Sequence, residues 1–209
     1  MQTKTNGRMS SITEIQALLG ASILSQSLAP TSIYDTLHNP KTDTIWLNPH
    51  FKYAQSFTTG SSSCMLNSIT IGMMGGIGKT SGGFFISIYD ATSLSGGPGY
   101  PVSSPLTGPD DPSYGPNEYI GELEMKANTT YWVVAIVAQD GGTYGWNTGD
   151  EASIGCDIGY SENFILEEKW SKPDSSSRLQ MKVNIIQSVS VPEYDPFPEF
   201  GMQMSIAVG

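Results

Sequence analysis

Asn128-Thr129-Thr130-Tyr131-Trp132-Val133-Val134-Ala135-Ile136-Val137-Ala138 is the most apolar run in the chain. Four of its residues are Val or Ile, two are aromatic, and the turn signal Gln139-Asp140-Gly141-Gly142 follows directly. That length, composition and flank predict a β-strand rather than a helix. Alternation puts Tyr131, Val133, Ala135 and Val137 on one face and Trp132, Val134 and Ile136 on the other. Both faces are apolar, so the strand belongs in the middle of a sheet, covered on each side.

Neighbouring segments read as antiparallel strands around it. Lys126-Ala127-Asn128 turns into the run from a half-buried strand, in which Tyr119, Gly121, Leu123 and Met125 alternate with Ile120, Glu122 and Glu124. Phe84-Phe85-Ile86-Ser87-Ile88-Tyr89-Asp90 points Phe84, Ile86 and Ile88 inward. Between these two, residues 91–116 are Gly, Pro, Ser and Asp without periodicity, a long surface loop of the kind that is usually functional or mobile. Further strands are predicted at 32–37, 53–60, 65–74, 142–147 and 179–186. The one at 65–74 carries a phase break near Ser68 that predicts a bulge, and Gly75-Gly76 ends it. Asn39-Pro40 and Asn48-Pro49 mark the stretch between the first two strands as loop. Roughly eight strands with long connections predict an all-β, antiparallel two-sheet β-sandwich of jelly-roll type.

The totals agree with that class. In 209 residues, Gly at 23 and Pro at 13 are high and only 14% are charged, which suits many short strands joined by turns. Net charge is −10, with no Lys/Arg cluster, so phosphate backbones are repelled and nucleic acid is excluded as a partner. No stretch reaches the ~20 apolar residues of a transmembrane helix.

The ends are different in kind. Lys4 and Arg8, then Ile15-Gln16-Ala17-Leu18-Leu19-Gly20-Ala21-Ser22-Ile23-Leu24, then small residues up to Pro30 follow the order of a secretory signal. The competing reading is an amphipathic helix with Ile15, Leu18, Leu19 and Ile23 as its stripe and Ser11 or Thr13 as cap. At the other end, Val191-Pro192-Glu193-Tyr194-Asp195-Pro196-Phe197-Pro198-Glu199-Phe200 is proline-spaced and acidic, hence extended. The expected organisation is a signal-like or helical segment over 1–31, a β-sandwich over 32–188 and a tail over 189–209.

Tyr53-Ala54-Gln55-Ser56-Phe57-Thr58-Thr59-Gly60, Leu66-Asn67-Ser68-Ile69-Thr70-Ile71, Thr80-Ser81-Gly82-Gly83-Phe84 and Ala127-Asn128-Thr129-Thr130-Tyr131-Trp132 resemble, in order and spacing, the bacterial choice-of-anchor R domain. Tyr144-Gly145-Trp146-Asn147 and Leu179-Gln180-Met181-Lys182-Val183 extend the likeness over roughly 33–187. The resemblance implies an exported, surface-associated β-sandwich, often followed by a sorting tail that begins Val-Pro-Glu-Pro. Here Val191-Pro192-Glu193 is followed by Tyr194 in place of the second proline.

Candidate chemistry is sparse. His38 and His50 sit beside the two Asn-Pro pairs and read as loop residues; there is no G-x-S-x-G elbow. A glycosidase needs two carboxyls facing across a cleft, and Glu122 with Glu124 or Glu167 with Glu168 are the available pairs. Aromatics suit sugar rings, with an apolar face and a polar rim. Tyr144, Trp146, Tyr160 and Trp170 are the candidates, Trp170 as an exposed platform because Glu167, Glu168, Lys169, Ser171 and Lys172 surround it. Hard oxygen ligands for calcium come from Asp110 with Asp111, or from Asp140 with Asp150 and Glu151. Cys64 and Cys156 are too far apart in sequence for a metal motif, and are either two free thiols or one disulfide. The sequon Asn128-Thr129-Thr130 reads as a turn entering the central strand.

These features predict a non-enzymatic, secreted or cell-surface structural or adhesion module, without a cofactor unless calcium. Its expected partners are polysaccharide, other surface proteins, or copies of itself through edge strands or tail. A carbohydrate-binding module is the second reading and a glycoside hydrolase the third.

Overall fold

The computed structural model describes residues 29–77, 83–92, 97–149, 158–162, 170 and 178–187; for 158–162 the backbone alone is described. The signal-like segment and the proline-spaced tail lie outside these residues. All eleven elements are strands, and no helix occurs among the described residues. In chain order they are β1 (Thr31–Asp35), β2 (Lys41–Leu47), β3 (Phe51–Thr58), β4 (Cys64–Ile77), β5 (Phe84–Tyr89) and β6 (Tyr114–Met125). After them come β7 (Thr130–Val137), β8 (Thr143–Gly149), β9 (Ile158–Glu162), β10 (Arg178–Leu179) and β11 (Met181–Gln187).

The strands form two antiparallel sheets. Four strands lie in the order β5-β7-β3-β9, and seven make the other sheet around β1-β11-β4-β8-β10, with β2 on β8 and β6 on β4. Several pairings are nested: β2 with β8, β3 with β7 and β4 with β6. Inside them, β5 is flanked by the segment 100–106, where Asp90 N–H donates to Tyr100 O, Val102 N–H to Ile88 O and Leu106 N–H to Ile86 O.

β7 is an inner strand, as its sequence requires. Tyr131, Val133, Ala135 and Val137 enter the main core between the sheets, with Phe57, Phe84, Tyr119, Trp146, Met181 and Val183 among their company. Trp132 and Val134 face the other way, into a smaller cluster with Ala54, Tyr89 and Trp170. The entry turn at Asn128 has φ +48°, a left-handed conformation that Asn tolerates better than most residues. Thr59 closes this end: its hydroxyl donates to Lys126 O at 2.6 Å and accepts from Thr129 N–H at 2.9 Å. The two most distinctive motifs of the sequence are therefore cross-strand partners, with Thr58 opposite Thr130.

The segment 97–113 is not a loose surface loop. It lies along β5 and also reaches the other sheet, where Thr107 and Ile120 exchange both backbone bonds at 2.8 and 2.7 Å. Tyr119 donates its hydroxyl to Pro109 O at 3.0 Å, and Leu106 is buried beneath Gly121. This strap covers a sheet edge that would otherwise offer unpaired backbone groups.

Two other expectations change. β2 occupies a stretch that reads as loop, because Trp46 sits on its outer side and interrupts the apolar/polar alternation of Ile45 and Leu47. β4 runs through Gly75-Gly76 to Ile77 rather than ending there, since pairing with β8 continues at Gly75, Gly76 and Ile77. The bulge near Ser68 is present, with register shifts towards both β6 and β11.

Candidate functional site

One irregularity shapes the outer face of the seven-stranded sheet. β8 follows β4 up to the pair Met73–Trp146, then separates from it, and the β10–β11 strand enters between them. Gln180 stands at the junction. Its N–H donates to Asn147 O at 2.8 Å, and its carbonyl accepts from Gly72 N–H and from the Trp146 indole, both at 2.9 Å. Side chains complete the pairing that regular strands would supply. The Thr36 hydroxyl donates to Leu179 O at 2.8 Å and accepts from Met181 N–H at 2.9 Å. Gln55, fully buried in the opposite sheet, accepts from Leu179 N–H at 3.1 Å across the core.

Separation of the strands opens a cleft of about 220 Å³ lined by Leu37, His38, Gly72, Pro116, Asn147 and Gln180. Gly72 is the floor: a Cβ there would meet Gln180 Oε1 at 2.8 Å and Leu37 Cδ2 at 3.6 Å. Gln180 donates from Nε2 to Asn39 O at 2.6 Å, and Asn147 Oδ1 accepts from Thr44 Oγ1 at 3.5 Å. Asn147 is 7% exposed and Gln180 6%.

Beside the cleft runs a row of residues across four strands. Trp46 on β2 is opposite Gly145 on β8, Met74 packs over Gly145 from β4, and Tyr114 on β6 is opposite Met74. Trp46 is 39% exposed and Tyr114 76%. Three strand spacings of ~4.8 Å put the two aromatics about 14 Å apart. Glycine is needed at position 145, since a Cβ would meet Thr44 Cγ2 at 2.6 Å, Met74 Cβ at 2.8 Å and the Trp46 ring at 3.1 Å.

The aromatics singled out from the sequence lie elsewhere. Trp146 and Tyr144 are fully buried in the main core, because they occupy the inward positions of β8. Trp170 is 7% exposed, which corrects the expectation of an exposed platform. It packs with Trp132, Val134 and Tyr89 and crowds Gly97, so its apolar ring outweighs its charged sequence neighbours. The indole N–H groups of Trp132 and Trp170 are both buried there, with no hydrogen-bond partner among the described residues. Tyr160 is in β9, outside the residues whose side chains are described.

Carboxylates are dispersed. Asp110 and Asp111 lie exposed on the strap and Asp140 in the turn after β7, while Asp150 and Glu151 are outside the described residues. Among the described residues no three His, Cys, Asp or Glu side chains gather as a metal site. Glu122 and Glu124 point the same way from one strand, side by side rather than across a cleft; Glu167 and Glu168 are outside the described residues. His38 is exposed and lies 3.8 Å from Asp35, and His50 follows the turn at Asn48. Cys64 is a buried free thiol pushed up in pKa by burial, and Cys156 is outside the described residues. Among the described residues no helix is long and apolar enough to cross a membrane.

The described residues define a sandwich-like antiparallel β protein in which Trp170 packs on one outer face while Trp46 and Tyr114 are exposed on the other. No family model matches the chain, and no curated protein is similar to it.

Sequence reasoning missed Trp46, Tyr114 and the Gly72 cleft. Both aromatics fall in stretches read as loop. Glycines at alternate outward positions, Gly72 and Gly145, were the available signal, since Gly within a strand marks close approach or open space.

Proposed function

We propose that the chain is a non-enzymatic adhesion module that presents the outer face of its seven-stranded sheet to a polysaccharide. The observation that carries this is the contrast between the two outer faces. On the four-stranded sheet, Trp132 and Val134 are sealed beneath Trp170. On the seven-stranded sheet, Trp46 and Tyr114 stay exposed on either side of a low floor of Gly145 and Met74. Large exposed apolar side chains that line up on one face mark interaction sites more often than scattered ones do. A flat ring offers apolar area to the C–H face of a sugar.

A jelly-roll arrangement is part of the same proposal, supported by the nested pairing and by the strap acting as partner to β5. Export and surface association rest on the resemblance to choice-of-anchor R domains. Self-association through the β1 or β2 edge is the competing outcome.

Sedimentation with insoluble cellulose, chitin or xylan tests the reading. The full chain is expected to co-sediment with at least one of them, and Trp46→Ala/Tyr114→Ala to remain in solution with an unchanged circular dichroism spectrum. Equal retention of the double variant would overturn it.

A further inference from the structure

We infer that the Gly72 cleft is a subsite for one uncharged sugar unit of the bound chain. This rests on the polysaccharide reading above and assigns a second set of residues to it.

The cleft and the aromatic row share the outer face and are adjacent in register. Trp46 pairs with Gly145, and two residues along, Thr44 pairs with Asn147; Met74 pairs with Tyr114, and two residues along, Gly72 pairs with Pro116. A chain lying on the aromatics therefore reaches the cleft without leaving the face. At about 220 Å³ the cleft falls below the ~300 Å³ where pockets for drug-sized ligands begin, which suits a single ring.

Its polar groups are built rather than incidental. Asn147 and Gln180 are both more than nine-tenths buried, held by the strand junction, and both line the cleft. Among the described residues, Asn147 accepts from Thr44 through Oδ1 at 3.5 Å and its amide N–H groups have no partner, while Gln180 donates from Nε2 to Asn39 O and its Oε1 has none. A donor and an acceptor lining the same cleft match a hydroxyl, which is both. An anion would meet the Gln180 oxygen unfavourably, and an ammonium would meet the Asn147 N–H groups. Leu37 and Pro116 add apolar wall for a ring face. An analogue that lacks the hydroxyl leaves both groups without a partner, which is how such a site tells a hydroxyl from its absence.

The experiment is calorimetric titration of the full chain with cellohexaose, xylohexaose, mannohexaose and chitohexaose in turn. At least one is expected to bind the wild type. Asn147→Asp exchanges the donor for an acceptor and is expected to weaken that binding at least tenfold. Leu37→Trp fills the cleft from a half-buried loop position, leaves both amide residues in the sequence, and is expected to weaken it by a similar factor. Thermal midpoints identify any variant that fails to fold; if Asn147→Asp does, Leu37→Trp decides. Wild-type affinity in both variants, with binding abolished by Trp46→Ala, overturns the subsite and leaves the binding face standing. No binding of any hexaose, or no effect of Trp46→Ala, overturns the face reading and the subsite with it.

Discussion

The Thr36 hydroxyl serves backbone groups on both sides of Gln180, donating to Leu179 O and accepting from Met181 N–H in a buried setting. Valine has the same shape and none of these bonds. Leaving buried backbone groups unpaired costs about 1–3 kcal/mol, so Thr36→Val is expected to lower unfolding free energy by about 2 kcal/mol in urea titration, while Thr36→Ser retains most of it. Equal stability of the valine variant would mean that the junction is held by packing instead. Trp170 makes the opposite case, a side chain whose role is apolar. Trp170→Ala leaves a hole beside Trp132 and Val134 and is expected to cost about 3–5 kcal/mol, with hexaose affinity unchanged at temperatures where the variant is folded. Loss of affinity in a stable Trp170→Ala protein would return the binding site to that residue.

Among the elements, β6 beyond Tyr119 and β11 were legible because each alternates with one face in the core, and β7 and β5 because their apolar residues run almost without a break between turn signals. β2 and the first part of β6 were not. Trp46 projects from the outer side of β2, and Gly115-Pro116 interrupts β6 at a sheet edge, where a missing N–H is tolerated. The strap was hidden for a different reason: most of its bonds join backbone to backbone, so no apolar side-chain pattern records them. Its anchors make it sensitive to pH from both directions. Partial burial would raise the Asp90 pKa, but bonds from the Thr92 hydroxyl and from the N–H groups of Tyr100 and Thr92 hold it below the usual carboxylate range. A carboxyl lowered in the folded state stabilises above its unfolded pKa, and the benefit is lost as pH falls below about 4. Tyr119 is raised, first by burial and then by Tyr144 and Asp110, so its phenol stays neutral in the fold. That neutral form ceases to favour folding once the unfolded phenol ionises above about pH 10. Amide exchange at Val102 and Leu106, read relative to the β7 amides and corrected for intrinsic pH dependence, is expected to lose protection at both extremes. Asp90→Asn is expected to remove only the acid limb. Uniform protection from pH 3 to 11 would mean that neither side chain fastens the strap.

At the scale of the whole molecule, charge decides which polysaccharides can approach. The chain carries −10 at neutral pH, and Glu118, Glu122 and Glu124 stand exposed on β6, the strand that also carries Tyr114. At low ionic strength that field repels an anionic chain over tens of ångströms, and at 0.15 M salt it is screened beyond about 8 Å. Binding of a neutral hexaose should therefore be nearly independent of salt between 10 and 500 mM, whereas a polygalacturonate of similar length should bind at least tenfold more weakly at 10 mM and recover part of the difference as salt rises, by roughly the screening that such a range provides. Calorimetry at three salt concentrations measures both slopes. If polygalacturonate binds more tightly at low salt than at high, a local positive field outweighs the net charge, and the neutral-sugar assignment fails at the scale of the molecule even if Trp46 and Asn147 still contribute.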